Sequence, residues 1–120
     1  MNPMRLMEPG DIVLAGLAQA DGIAKLRPVL LLCRLPGFGD WLTCGVSTQT
    51  RHLVAGFDEV IAQNDADYAT SGLRQASLVR LGFLGTLAKT QIAGDLGWVA
   101  PDRLHRLCQN LAQYLQAMGK

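Results

Sequence analysis

The sequence predicts a mainly β (α+β) protein: short strands forming a small curved barrel, with one helix at the C-terminus. Three observations carry this. Short apolar and β-branched runs recur between turn signals. Thirteen glycines and five prolines in 120 residues supply those turns. Only residues 101–118 repeat their apolar positions at helical spacing. The length suits a single domain over residues 1–120 with a real core. No internal repeat, low-complexity tract or linker divides it.

Residues 1–9 read as a lead-in. Gly10-Asp11 is a turn pair, and the run from Asp11 to Leu17 opens a first strand. Ala18 to Lys25 is a short loop around Asp21-Gly22, with Lys25 as its only basic residue. Val29 to Cys33 is an apolar run of buried-strand length. Pro36, Gly37, Gly39 and Asp40 mark a reversal, and Trp41 to Val46 is its returning strand. Phe57 to Ala62 and Leu73 to Leu81 are further strands, separated by a polar loop over 63–72. In the second of these, Val79 and Leu81 share one face, and Leu78 and Arg80 the other. Gly82 to Lys89 reads as irregular, with room for a helical turn. Gln91 to Val99 is a last strand, glycine-interrupted and open to a bulge.

The terminal helix is the clearest element. Leu104, Leu107, Cys108, Leu111, Ala112 and Leu115 form one apolar stripe. Pro101 suits the first helical position, Asp102 the positive end of the dipole, and Gly119 the stop. The stripe reads as core or subunit contact rather than a binding box.

The hairpin over 26–51 has a geometric consequence. Folded about Gly37, it sets Arg27 opposite Ser47 at its open end. Opposed residues of an antiparallel pair point to the same face, with Cα atoms roughly 5 Å apart. A guanidinium and a hydroxyl then meet at one place. Pro28 fits there because it lacks the N–H that an inner strand position requires. A slip of one residue would break the pairing.

Composition narrows the function classes. A net charge of +1 does not announce a nucleic-acid binder, so any such site must be a local patch. Cys33, Cys44 and Cys108 are odd in number and lack metal-clip spacing, and they read as reduced thiols. Cys33 and Cys44 are placed to face each other across the hairpin, although a disulfide is disfavoured in a reducing compartment. There is no signal-peptide form and no run near the ~20 apolar residues of a membrane span, so a cytoplasmic protein off the membrane is expected. No carboxylate pair, His/Cys cluster or phosphate-binding glycine loop is present, so no metal or cofactor is expected. His52 invites a proton-shuttle role, but its only companion, His105, lies in the terminal helix.

The chain resembles the MazF/PemK toxins of toxin–antitoxin systems. The resemblance rests on Gly10-Asp11-Ile12-Val13, Arg27-Pro28-Val29-Leu30-Leu31 and Val46-Ser47-Thr48-Gln49, then Ser71-Gly72 through Ala76-Ser77 to Leu81, then Thr86-Leu87 and Leu96-Gly97, in matching order over roughly residues 9 to 116. It implies an SH3-like barrel that forms a homodimer. It implies an endoribonuclease acting on single-stranded RNA without a metal, leaving 2′,3′-cyclic phosphate and 5′-hydroxyl ends. It also implies inhibition by a cognate antitoxin whose extended tail fills the groove. Arg27 matches the family's catalytic arginine, and Ser47 stands where the family has a catalytic Thr or Ser.

The chemistry agrees with this. RNA carries its own nucleophile, the 2′-OH. Arg27 can hold two phosphate oxygens and place charge where it develops. The Ser47 hydroxyl can donate to a phosphate oxygen, and no base is placed to make it a covalent nucleophile. Thr48 and Gln49 extend the motif towards sugar or base, while Lys25, Arg51 and Arg80 are phosphate-contact candidates. Two other readings fit the same barrel: a non-catalytic protein binder of the gyrase-poison type, and a decayed toxin that still binds an antitoxin.

Overall fold

The computed structural model describes residues 6–18, 21, 22 and 24–119. Six strands are β1 (Asp11–Ala18), β2 (Ala24–Arg34), β3 (Trp41–Ser47), β4 (Glu59–Ile61), β5 (Ser77–Leu87) and β6 (Ile92–Trp98). Two helices are α1 (Tyr68–Ser71) and α2 (Pro101–Met118). The strands form one antiparallel sheet in the order β4-β5-β3-β2-β1-β6. This sheet curls into a half-barrel with α2 beside it, the mainly β architecture that the turn-rich sequence predicts.

Several boundaries differ from the sequence reading. β2 begins at Ala24, so Lys25 lies in a strand rather than in the loop before it. β4 keeps only three residues of the predicted run, because Phe57 is drawn into a turn by hydrogen bonds to Val54 O. The polar loop after it contains α1, ended by Gly72 at φ 73°. β5 starts four residues later than predicted and runs through 82–87, which local sequence marks as irregular. Its extension pairs with the first half of β3, an interaction that local propensity does not register. The helical turn expected within 82–89 is absent there, and a short 3-10 segment follows instead at Lys89–Gln91, so that β6 begins one residue after the predicted strand start. β6 shows the expected irregularity, with two register shifts against β1. The lead-in lies partly outside the described residues; within it, Met7 packs on the core.

Alternation along the strands builds two apolar clusters, one on each face of the sheet. Ile12, Leu30, Cys44, Val79 and Leu81 pack beneath Leu107 and Leu111 of α2. Val13, Ala15, Val29, Leu31, Trp41 and Leu87 form the second cluster, which contains no α2 residue. Two buried faces explain the continuous apolar run in β2. Cys33 pairs with Leu42 and Cys44 with Leu30, so the two cysteines do not face each other. All three cysteines are free thiols.

α2 matches its predicted limits, with Pro101 in its first turn. Its apolar stripe is only partly buried. Leu107 and Leu111 are in the core, Leu104 and Cys108 pack against it, and Ala112 and Leu115 are exposed. The helix is instead fastened at its start by Arg103. This buried side chain donates to both carboxylate oxygens of Asp67 (2.8 and 3.0 Å), to Asp65 (3.0 Å), to Glu59 (2.9 Å) and to the Val60 carbonyl (3.2 Å). Arg106 adds a fork onto Glu59 at 2.8 and 3.0 Å.

Glycine explains two parts of the motif pattern. A Cβ at Gly72 would run into the Leu96 backbone, and one at Gly97 into the carbonyl of Thr70. The Ser71-Gly72 and Leu96-Gly97 pairs are therefore where α1 and β6 touch backbone to backbone. Thr70 Oγ1 secures the contact by donating to Trp98 O at 3.1 Å. Among the described residues, no helix is long and apolar enough to cross a membrane.

Candidate functional site

The site is set by the β2–β3 register. Val29 pairs with Gly45, Leu30 with Cys44 and Leu31 with Thr43. Continued by two residues, this register sets Arg27 across from Ser47 and Pro28 across from Val46. The alignment depends on a bulge. Nearer the turn, Cys33 pairs with Leu42 and Arg34 with Trp41, one residue out of step with the upper half. The turn hydrogen bond, Leu35 N–H to Asp40 O at 2.7 Å, follows that shifted register. The register shift between Leu31 and Cys33 absorbs the difference. Without it, Arg27 would stand opposite Thr48.

Parity fixes the face. Arg27 alternates with Val29 and Leu31, and Ser47 with Gly45 and Thr43. Both therefore lie on the side of the sheet away from α2. Arg27 is exposed and Ser47 half-buried. On the other flank, Arg27 pairs with the small, fully buried Ala15 of β1. Lys25, two residues earlier on the same face, is exposed.

Ser47 closes a tight turn. Its Oγ accepts the Gln49 N–H at 3.0 Å, which leaves the hydroxyl proton available to a ligand. Thr48 and Gln49 are exposed at this corner. Gln49 leads directly into the 3-10 turn Thr50–His52, which presents Arg51 to solvent. His52 is exposed on the same turn, and His105 is exposed on α2, so the two histidines belong to different elements.

Arg80 joins from β5. It pairs with Gly45, while Ser47 pairs with Leu78, so Arg80 is a same-face diagonal neighbour of Ser47. Such diagonal Cα atoms lie about 7–8 Å apart. Directly after it the β3–β5 register jumps: Cys44 pairs with Leu84 and Gly45 with Arg80, so Leu81, Gly82 and Phe83 bulge out. Asp58 holds this bulge. Its carboxylate accepts the Leu81 N–H at 3.0 Å and the Val54 N–H at 3.0 Å.

The bulge carries Phe83 across Gly45, where a Cβ would overlap the ring. Phe83 remains 53% exposed, with the Arg80 guanidinium 5.8 Å from its ring centre. Sequence reasoning passed over Phe83 because it fell in a segment read as irregular. The available signal was the glycine placed between Arg80-Leu81 and Phe83-Leu84, which suits a bulged strand.

Charge is segregated in space. Glu59, Asp65, Asp67 and Asp102 are gathered by Arg103 and Arg106 beside α2. Lys25, Arg27 and Arg80 lie on the other face, with Arg51 at its corner. The near-neutral whole thus gathers several cations on one face, which the half-buried Asp95, paired with Val13, shares. Among the described residues, no group of three His, Cys, Asp or Glu side chains is arranged to hold a metal.

No protein-family model and no curated protein matches the sequence. Solved structures do match in fold. The Mycobacterium tuberculosis toxin MazF-mt6 superposes with a TM-score of 0.64 at 22% identity, covering 88% of this chain and 96% of that one. A mycobacterial endoribonuclease in complex with its cognate antitoxin superposes with a TM-score of 0.66 at 19% identity, covering 92% and 96%. The chain has the MazF fold over nearly its full described length.

Proposed function

We propose that this protein is the toxin of a toxin–antitoxin pair and an endoribonuclease acting on single-stranded RNA. The observation that supports the reading is the β2–β3 register, which, continued two residues beyond Val29 and Gly45, brings Arg27 across from Ser47, within a fold shared with an endoribonuclease bound to its antitoxin. The substrate's 2′-oxygen attacks the adjacent phosphorus as the bond from phosphorus to the 5′-oxygen breaks. One proton leaves the 2′-hydroxyl and one reaches the departing 5′-oxygen, giving a 2′,3′-cyclic phosphate and a 5′-hydroxyl. Arg27 neutralises charge on the non-bridging oxygens of the crowded intermediate. Ser47, its lone pair already engaged by the Gln49 amide, donates its proton to one of those oxygens. Thr48 and Gln49 contact the sugar or base beside the cut. Lys25, Arg51 and Arg80 hold flanking phosphates, a role that calls for positive charge but no fixed geometry.

The protein supplies positioning and charge, so the reaction proceeds without a metal. A cytoplasmic homodimer, silenced by an antitoxin whose extended segment covers the face that carries Arg27, completes the proposal. The test is cleavage of mixed-sequence RNA in EDTA by the wild type beside Arg27→Ala and Ser47→Ala. The wild type is expected to cut and to leave 5′-hydroxyl ends that polynucleotide kinase labels directly. Arg27→Ala should lose at least about 100-fold in rate, as removal of one oxyanion-stabilising donor does. Equal cutting by wild type and Arg27→Ala, or intact RNA with every protein, would refute the assignment. Trapped gyrase–DNA complexes alongside intact RNA would favour the gyrase-poison reading.

A further inference from the structure

The geometry points to Phe83, backed by Arg80, as a stacking platform for one base of the bound strand, next to the phosphate held by Arg27 and Ser47. This inference rests on the endoribonuclease reading and adds a specificity-determining residue to it. The Phe83 ring is 53% exposed, beside Arg80 on the face that carries Arg27. Three features show that the ring is held there. Gly45 leaves the space that the ring edge occupies. The bulge at Leu81–Phe83 lifts the ring over the neighbouring strand. Asp58, by accepting the Leu81 N–H at 3.0 Å, fixes that bulge.

The neighbours identify the occupant. The Arg80 guanidinium lies 5.8 Å from the ring centre, within the range of a cation–π contact. Gly45, beneath the ring, is two residues from Ser47 on the same face, about 7 Å along the strand. A ligand bound here must combine negative charge for Arg27 and Arg80 with a flat apolar face for Phe83, repeated at a spacing of several ångströms. A single-stranded polynucleotide has that chemistry, and stacking on an aromatic ring is how sequence-tolerant strand binders hold successive bases. Purines offer the larger face, so the platform favours a purine at this position.

The test uses short 2′-O-methyl oligonucleotides, which lack the attacking hydroxyl and stay intact. Fluorescence anisotropy would compare oligoadenylate, oligouridylate and an abasic strand of equal length on the full chain. The wild type is expected to bind adenylate most tightly and the abasic strand most weakly. Phe83→Ala should weaken adenylate binding roughly 5- to 150-fold and leave abasic binding unchanged. Phe83→Trp should retain the preference, and Gly45→Ala, which displaces the ring, should reduce it. Phe83→Leu keeps an apolar side chain over Gly45 but lacks a π face, and decides the matter if Phe83→Ala fails to fold.

Cleaving wild type with equal affinity for base-bearing and abasic strands overturns the platform and leaves the nuclease standing. So does a Phe83→Leu variant that binds like wild type. A wild type that neither binds nor cuts any RNA removes both.

Discussion

Replacing Arg103 by leucine tests whether α2 is held chiefly by charge or by its apolar stripe. The arginine side chain is 8% exposed and directs five hydrogen bonds to three carboxylates and one carbonyl. Leucine refills part of the volume but pairs with none of them. Glu59 keeps Arg106, and Asp65 is partly in solvent and keeps the Ala62 N–H. Asp67 is the weak point: its side chain is 5% accessible, and once Arg103 is gone its carboxylate keeps backbone N–H bonds, such as that from Ala100, but no cation. Removing one partner of a buried pair costs about 3–5 kcal/mol, because the remaining charge is left uncompensated. For a domain of this size that corresponds to a melting temperature lower by roughly 10–20 °C. The assay is denaturant and thermal unfolding followed by circular dichroism. Adding Asp67→Asn to Arg103→Leu should recover part of the loss, since the orphaned charge is then gone. A single variant within about 1 kcal/mol of wild type, or a double variant no better than the single, would refute the reasoning.

Asp67 also predicts an acid limb. Burial works to raise its carboxyl pKa, but hydrogen bonds from Arg103 and the Ala100 N–H outweigh it and hold the group below its ordinary value of 3.8. Its contribution to stability is therefore complete above that value and lost as pH falls below it through the lowered folded-state value. Unfolding titrations from pH 6 downwards should show this loss, and Asp67→Asn should flatten it. Cys44 predicts the opposite limb: burial, with Asp58 and Cys108 adding to it, pushes the thiol from 9.0 up to about 12. Its stabilisation should fade as pH rises through that interval, and a variant retaining only this cysteine should resist Ellman's reagent at pH 8 until denatured. Gly97→Ala should cost several kcal/mol or prevent folding, because the added methyl meets the Thr70 carbonyl, and soluble yield and melting temperature report it.

Much of the architecture is written in local pattern. The helix over 101–118 follows from its 3.6-residue spacing and flanking Pro101 and Gly119, and it holds at both ends. The strands flanking the 36–40 turn, and the facing of Val79 and Leu81 against Leu78 and Arg80, follow from a two-residue period. These features depend on neighbours within a few residues, so sequence alone determined them. Sequence symmetry about Gly37 likewise suggested Arg27 and Ser47 as partners. Yet the turn itself is out of step with that symmetry, and the bulge between Leu31 and Cys33 restores it. Where a bulge falls depends on which side chains must be buried on two faces at once, and that is settled only when the strands meet. The same holds for Phe83, lifted by an Asp58 hydrogen bond spanning 23 positions, and for Arg103, buried because carboxylates 36 to 44 residues away converge on it. A charge enters a core only where its partners are assembled in space, and no local period records that.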